Sequence, residues 1–157
     1  MPKRFGDRAQ NVFCAVAAID GLAGIEFAFL APILLMLTLC TVDLGIAAYD
    51  AMQVENAAQA GSEYAAVHGY NVSSISQVIT SANDLTGLAA SPAPTEFCGC
   101  PSGSTVATVT CGSNCADGTY AGTYVTASAT ATYTTLLHYP MLPASFTFVN
   151  NATARIQ

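Results

Sequence analysis

The sequence predicts an α+β protein: a long N-terminal membrane-spanning helix that continues outside the membrane and packs on a small antiparallel β-sheet with a disulfide-stapled loop. Three observations predict it. Phe27 to Val42 is a run of sixteen residues without a charge. The residues after it keep a helical period as far as Val67. Beyond Gly69 the texture changes to Ser, Thr, Ala, Gly and Tyr, and a strict alternation of apolar and polar residues begins.

Composition narrows the function classes. Of 157 residues, 52% are apolar and 9% charged, with mean hydropathy +0.44. An ordinary soluble domain carries about 25% charged residues, so much of this chain is expected to touch lipid or protein. The four basic residues are Lys3, Arg4, Arg8 and Arg155. With no cation between Arg8 and Arg155, nothing displaces the counterions of a phosphate backbone, and nucleic acid is not an expected partner. The ten acidic residues give a net charge of −6 and are spread singly, without an acidic tail.

Residues 1–21 read as a cytoplasmic leader or flank, with three basic residues, the apolar stretch Val12 to Ile19 and then Asp20-Gly21. Residues 22–48 read as the transmembrane helix. Glu26 and Asp43 bound its charge-free run, and on a helix they lie about 26 Å apart, close to the ~30 Å hydrocarbon thickness of a bilayer. The run therefore spans alone, each carboxylate near an interface. Pro32 lies inside it and removes one backbone donor, a kink that membrane helices tolerate. Basic residues precede the span and are missing after it until Arg155, so the N-terminus is expected in the cytoplasm and the bulk of the chain outside.

Residues 49–69 read as the extramembrane continuation of the helix. Leu44, Ala47, Ala51, Val54, Ala58, Gly61 and Ala65 recur at steps of three and four, a stripe of mostly small side chains. Glu55, Gln59 and Glu63 occupy a different face. The small stripe suits close approach of another helix, or packing on the chain's own C-terminal domain. Gly69 is placed to end the helix as its C′ residue.

Residues 70–157 read as an external α+β domain. A short helix is expected over Val78 to Leu88, capped by Ser73 or Ser76, with Ile79, Leu85 and Leu88 on one face. Pro92 and Pro94 then open a loop rich in Cys and Gly. Strands are expected at Val106 to Cys111, Ala121 to Tyr133 and Phe146 to Val149, with the alternation continuing through Ala152, Ala154 and Ile156. Pro140 and Pro143 break the chain before the last of them. A core of Ala, Thr and Tyr is thin, so staples are expected. Cys98, Cys100, Cys111 and Cys115 supply them. A direct Cys98 to Cys100 bridge closes a strained ring, which favours crossed pairs to Cys111 and Cys115. A zinc site is the competing reading, but its Cys-x-Cys half departs from the usual ligand spacing, so no metal is expected. Cys14 and Cys40 read as small apolar residues.

Catalytic signals are lacking. His68 and His138, the two histidines, stand in no recognisable motif, and there is no P-loop, Gly-x-Gly-x-x-Gly, Gly-x-Ser-x-Gly or His-Glu-x-x-His. No catalytic residue and no cofactor is expected, and the chain reads as a non-enzyme. Asn71-Val72-Ser73 and Asn151-Ala152-Thr153 match the glycosylation sequon, which matters only in a host that glycosylates secreted Asn.

One constellation is more specific. Gly21, then Leu22-Ala23-Gly24-Ile25, then Glu26-Phe27, directly ahead of the apolar run, resembles the processing site of Flp-type prepilins and pseudopilins. Gly24 to Ala28 through Pro32, Asp43-Leu44-Gly45 and Asn56 to Gly61 together resemble the N-terminal pattern of the TadE-like family. The strand Val125 to Thr134, the Tyr139-Pro140 loop and Ala152 to Arg155 are loosely similar to its C-terminal strands. The resemblance implies a membrane-anchored pseudopilin or minor pilin of a bacterial tight-adherence (Flp) pilus system, held in the cytoplasmic membrane. Its implied partners are the lipid bilayer, a prepilin peptidase that cuts after Gly21 to leave Leu22 first, other pilin or pseudopilin subunits and the pilus assembly machinery. Glu26 would then meet a neighbouring subunit's N-terminal ammonium. The alternatives are an uncleaved single-span protein with an external binding domain, which the long leader allows, and a secreted protein with a signal peptide cut near Ala47.

Overall fold

A computed structural model describes residues 6–136 and 143–156, with side chains described from Ala23 onward. Lys3, Arg4, His138, Tyr139 and Pro140 lie outside the described residues, as do the side chains of Arg8, Cys14 and Leu22. Two helices precede four strands. Helix α1 is Gly6–His68, α2 is Val72–Ser81, and the strands are β1 (Thr95–Ser102), β2 (Thr105–Thr108), β3 (Gly122–Thr134) and β4 (Ser145–Arg155). The chain divides into two compact units, Met1–Leu44 and Gly45–Gln157.

In the first unit α1 continues through Pro32. Its side chains from Ala23 to Val42 are exposed, apart from Ala31 and Cys40, which are half-buried.

In the second unit α1 ends as its sequence demands. Gly69 takes φ +81°, the left-handed conformation that a Cβ disfavours, and its N–H donates to the Ala65 carbonyl at 2.9 Å. Asn71 then starts α2: its side-chain oxygen accepts from the Ser74 N–H at 3.0 Å. This corrects the expected helix over Val78 to Leu88. The helix begins six residues earlier and stops at Ser81, and its cap is Asn71 rather than Ser73 or Ser76. Asn83 accounts for the early stop. Its side chain accepts from the Leu85 N–H at 3.1 Å and donates to the Gln53 carbonyl at 2.9 Å, so the backbone turns there instead of continuing. Leu85 and Leu88 still pack on the core, from the turn.

The sheet is antiparallel, in the order β2-β1-β3-β4. β3 is the long alternating strand that the sequence predicts, with Val125, Ala127, Ala129, Ala131 and Tyr133 buried. Phe146 to Val149 and the later alternation form one strand, β4, in unbroken register with β3 from Tyr124↔Arg155 to Thr134↔Ser145. The strand expected at Val106 to Cys111 is shorter and shifted, Thr105–Thr108. β1 corrects a second expectation, since it occupies much of what reads as a loop. Its Gly99 explains how it fits: a Cβ there would run into Val106 Cγ1 and come within 3.2 Å of the Ala107 carbonyl oxygen, so the backbone pair closes only on glycine.

The core gathers Val54, Ala57, Ala58 and Ala65 of α1, Ile75 and Ile79 of α2, and the inner residues of β3. Small residues on α1 set the spacing. At Gly61 an added Cβ would lie 2.6 Å from Ile79 Cγ1 and 3.2 Å from the Ala127 Cβ, so helix and sheet meet across a bare backbone.

Candidate functional site

The candidate site is the helix α1 itself. Among the described residues one helical segment, Ala23–His68, is long and apolar enough to cross a membrane. Its apolar side chains point outward: Phe27, Phe29, Leu35 and Leu37 are each 60% exposed or more. Exposure of this kind is costly in water and favourable in hydrocarbon. The polar groups within the run are satisfied internally. Thr38 Oγ1 donates to the Leu34 carbonyl at 2.7 Å and Thr41 Oγ1 to that of Leu37 at 2.9 Å, so neither hydroxyl needs water.

The two bounding carboxylates differ. Glu26 is exposed, flanked by exposed Ile25 and Phe27. Asp43 is 4% exposed. The expectation that each carboxylate stands at an interface does not anticipate this burial. Leu44, which heads the small-residue stripe in the sequence, is 62% exposed. The rest of the stripe behaves as a packing surface. Val54, Ala58, Gly61 and Ala65 are buried and Ala47 and Ala51 half-buried, while Glu55, Gln59 and Glu63 face solvent. Ala57, fully buried, is a core residue that the period of 3.5 leaves out.

The four external cysteines pair as Cys98–Cys111 and Cys100–Cys115, with Cα–Cα distances of 5.1 and 5.6 Å. Cys98 and Cys100 are two apart on β1 and so project to the same side of the strand, where each takes its own partner from the following loop. All four sulfurs are bonded, which replaces the competing zinc reading. Among the described residues no group of three His, Cys, Asp or Glu is placed to hold a metal ion, and Cys40 is the free thiol. Beyond the second bridge, Asp117 Oδ1 accepts from the Thr119 hydroxyl at 2.7 Å and its N–H at 3.0 Å; these bonds, the hydroxyl first, hold its carboxyl below the usual carboxylate range.

Two further features lie in the second unit. His68, in the last turn of α1, stacks on Tyr64 with ring centroids 4.2 Å apart and has Nδ1 3.2 Å from the Tyr64 carbonyl oxygen. An open groove of about 640 Å³ is lined by Tyr49, Asp50, Gln53, Asp84 and Tyr133 among others. No sequence signal marks the groove, because Asp84 and Tyr133 reach it from elements far apart in the chain.

Fold and site together define a class: an α+β protein with one membrane-competent N-terminal helix and a disulfide-bridged sheet domain. The comparison with known families is more particular. The family model described as TadE-like protein matches residues 21–63, in agreement with the resemblance of Gly21 to Gly61. The match takes in Glu26, Pro32, Asp43 and most of the small-residue stripe, and it ends inside α1, so it covers none of the sheet. No curated protein and no solved structure matches the chain.

Proposed function

We propose that this chain is a minor pilin or pseudopilin, anchored in the bacterial cytoplasmic membrane, that takes part in assembling a tight-adherence pilus. The observation that carries the reading is a coincidence of position: the residues that match the TadE-like family, 21–63, contain the outward-facing apolar helix. Lys3, Arg4 and Arg8, which precede the apolar run, support a cytoplasmic N-terminus, and the two bridges support an oxidising compartment for the external domain. A prepilin peptidase cuts between Gly21 and Leu22. Glu26, exposed beside Phe27, then stands five residues into the new chain. A carboxylate drawn toward the bilayer centre costs about 2.5–3.5 kcal/mol unless paired, and the N-terminal ammonium of a staggered neighbouring subunit supplies the pair. The role is structural, with no catalytic residue and no cofactor.

A second reading, an uncleaved single-span anchor for an external binding domain, is favoured by one observation: α1 runs helical without a break from Gly6 through Gly21 and Leu22. In that case the external domain carries the function.

The test is genetic. Deletion of the gene in its host is expected to abolish or shorten surface pili recovered by shearing. Complementation with Glu26→Gln is expected to restore the protein to the membrane but not the pili. Normal pili in the deletion strain would overturn the assembly role.

A further inference from the structure

The two bridges of the sheet domain differ in access. Cys100 and Cys115 are only 8% and 9% exposed, whereas Cys98 is half-buried and Cys111 is exposed. Local structure explains the difference. Cys111 stands at the corner of a turn from Thr110 to Ser113, closed by the Ser113 N–H on the Thr110 carbonyl at 3.1 Å and by the Ser113 hydroxyl on the same oxygen at 2.7 Å. Gly112 beside it has φ +81° and nothing within 4 Å of where a Cβ would lie, so the turn is open on that side. Cys115 is folded into the loop instead: its N–H donates to the Thr119 carbonyl at 2.7 Å, and its own carbonyl accepts from the Gly118 N–H at 3.0 Å. A hollow of about 370 Å³ borders Cys100 and Cys115, room for a small reagent but not for the active site of a folded protein. Charge does not separate the bridges, because Glu96 lies two residues before Cys98 and Asp117 two residues after Cys115.

We infer that Cys98–Cys111 is the site at which this domain exchanges disulfides with a folded dithiol protein, and that Cys100–Cys115 is a closed, structural bridge. Exchange requires a thiolate to reach one sulfur of the bond. The first thiolate of the partner attacks Cys111 Sγ, the bond to Cys98 breaks, and Cys98 leaves as a thiolate that takes up a proton. The second thiolate of the partner then attacks the partner's own sulfur in the mixed disulfide and releases Cys111 as a thiol. The partner ends as a disulfide, oxidised by two electrons, and the bridge ends as two thiols; run backwards, the same steps install it. Cys98 and Cys100 project from the same side of β1, about 7 Å apart along the strand. The freed Cys98 is therefore the nucleophile nearest the second bridge, and re-sorting of the buried pair starts from the exposed one. In the two-thiol form Cys100–Cys115 still ties the loop to β1. The inference rests on pairing and burial within the sheet domain and is independent of the proposed pilus role.

The test uses the full chain in detergent, with the thiols of Cys14 and Cys40 blocked beforehand by iodoacetamide. Thioredoxin is the dithiol probe, and thiols released by it are trapped with N-ethylmaleimide and located by peptide mass. Cys98 and Cys111 are expected to be released faster than Cys100 and Cys115 by about tenfold or more, because access limits the attack. In urea the difference is expected to vanish. Thioredoxin whose resolving cysteine is replaced by serine is expected to be captured on Cys111, and the Cys98→Ser, Cys111→Ser variant to capture none. Equal release from the two bridges, earlier release of Cys100 and Cys115, capture on either of those two, or no exchange at all would overturn the inference. A preference that persists in urea would do the same, since it would not come from the fold.

Discussion

Gly61 shows how much of this fold rests on single atoms. Replacing it with alanine gains about 1 kcal/mol of helix propensity but forces a Cβ to within 2.6 Å of Ile79, which is fully buried and has little room to yield. Overpacking of this kind costs about 1–3 kcal/mol, so a net destabilisation is expected, larger for Gly61→Val. Gly24 and Gly45 have nothing within 4 Å of an added Cβ, and alanine at either is expected to be neutral or stabilising. Denaturant midpoints of the detergent-solubilised full chain check the contrast; a Gly61→Ala midpoint equal to that of Gly45→Ala would contradict the close packing. The sequence marks Gly61 as one of a small-residue stripe, but the identity of its neighbour comes only from the fold. Asp43 shows the converse. Its charge reads as a boundary in water, and its burial belongs to the fold, which composition does not reveal.

Among elements, the strands differ in how plainly the sequence announces them. β3 is legible because Val125, Ala127, Ala129, Ala131 and Tyr133 alternate with hydroxyl residues over its whole length. β1 is not: Pro92 and Pro94 just before it, and Cys98, Gly99 and Cys100 within it, are the residues that normally mark loops. Its pairing with β2 and β3, reinforced by two bridges to the next loop, overrides weak local preference. α2 begins at Val72 behind Asn71, a residue that reads in the sequence only as part of a sequon and acts in the fold as the cap. The bridges close loops of similar size, with sequence separations of 13 and 15. The paired substitutions Cys98→Ser with Cys111→Ser, and Cys100→Ser with Cys115→Ser, are therefore expected to destabilise the chain comparably, by about 2–5 kcal/mol each. Unfolding of the two variants beside the parent chain tests this. A negligible loss in either would mean that the hydrogen-bonded hairpin alone holds β1.

At the scale of the whole molecule, the N-terminal third carries the functional signal and the remainder carries the fold. The spacing of Glu26, Pro32 and Asp43 suits a membrane helix, and the TadE-like match covers the same residues. The sheet domain matches no solved structure. Its alternation reveals strands, and its cysteines reveal staples, but Ala, Thr and Ser repeat too evenly to specify what its surface binds. The groove beside Tyr49, Asp50 and Asp84 joins residues that only the packed domain brings together.

The central claim is that α1 is the processed membrane helix of a pseudopilin. The most direct measurement is N-terminal sequencing with intact mass of the protein from native membranes, in strains with and without the prepilin peptidase. A chain that starts at Leu22, and does so only where the peptidase is present, is the predicted result. A chain that starts at Met1 in both strains would contradict it, leaving a fixed anchor whose external domain carries the function.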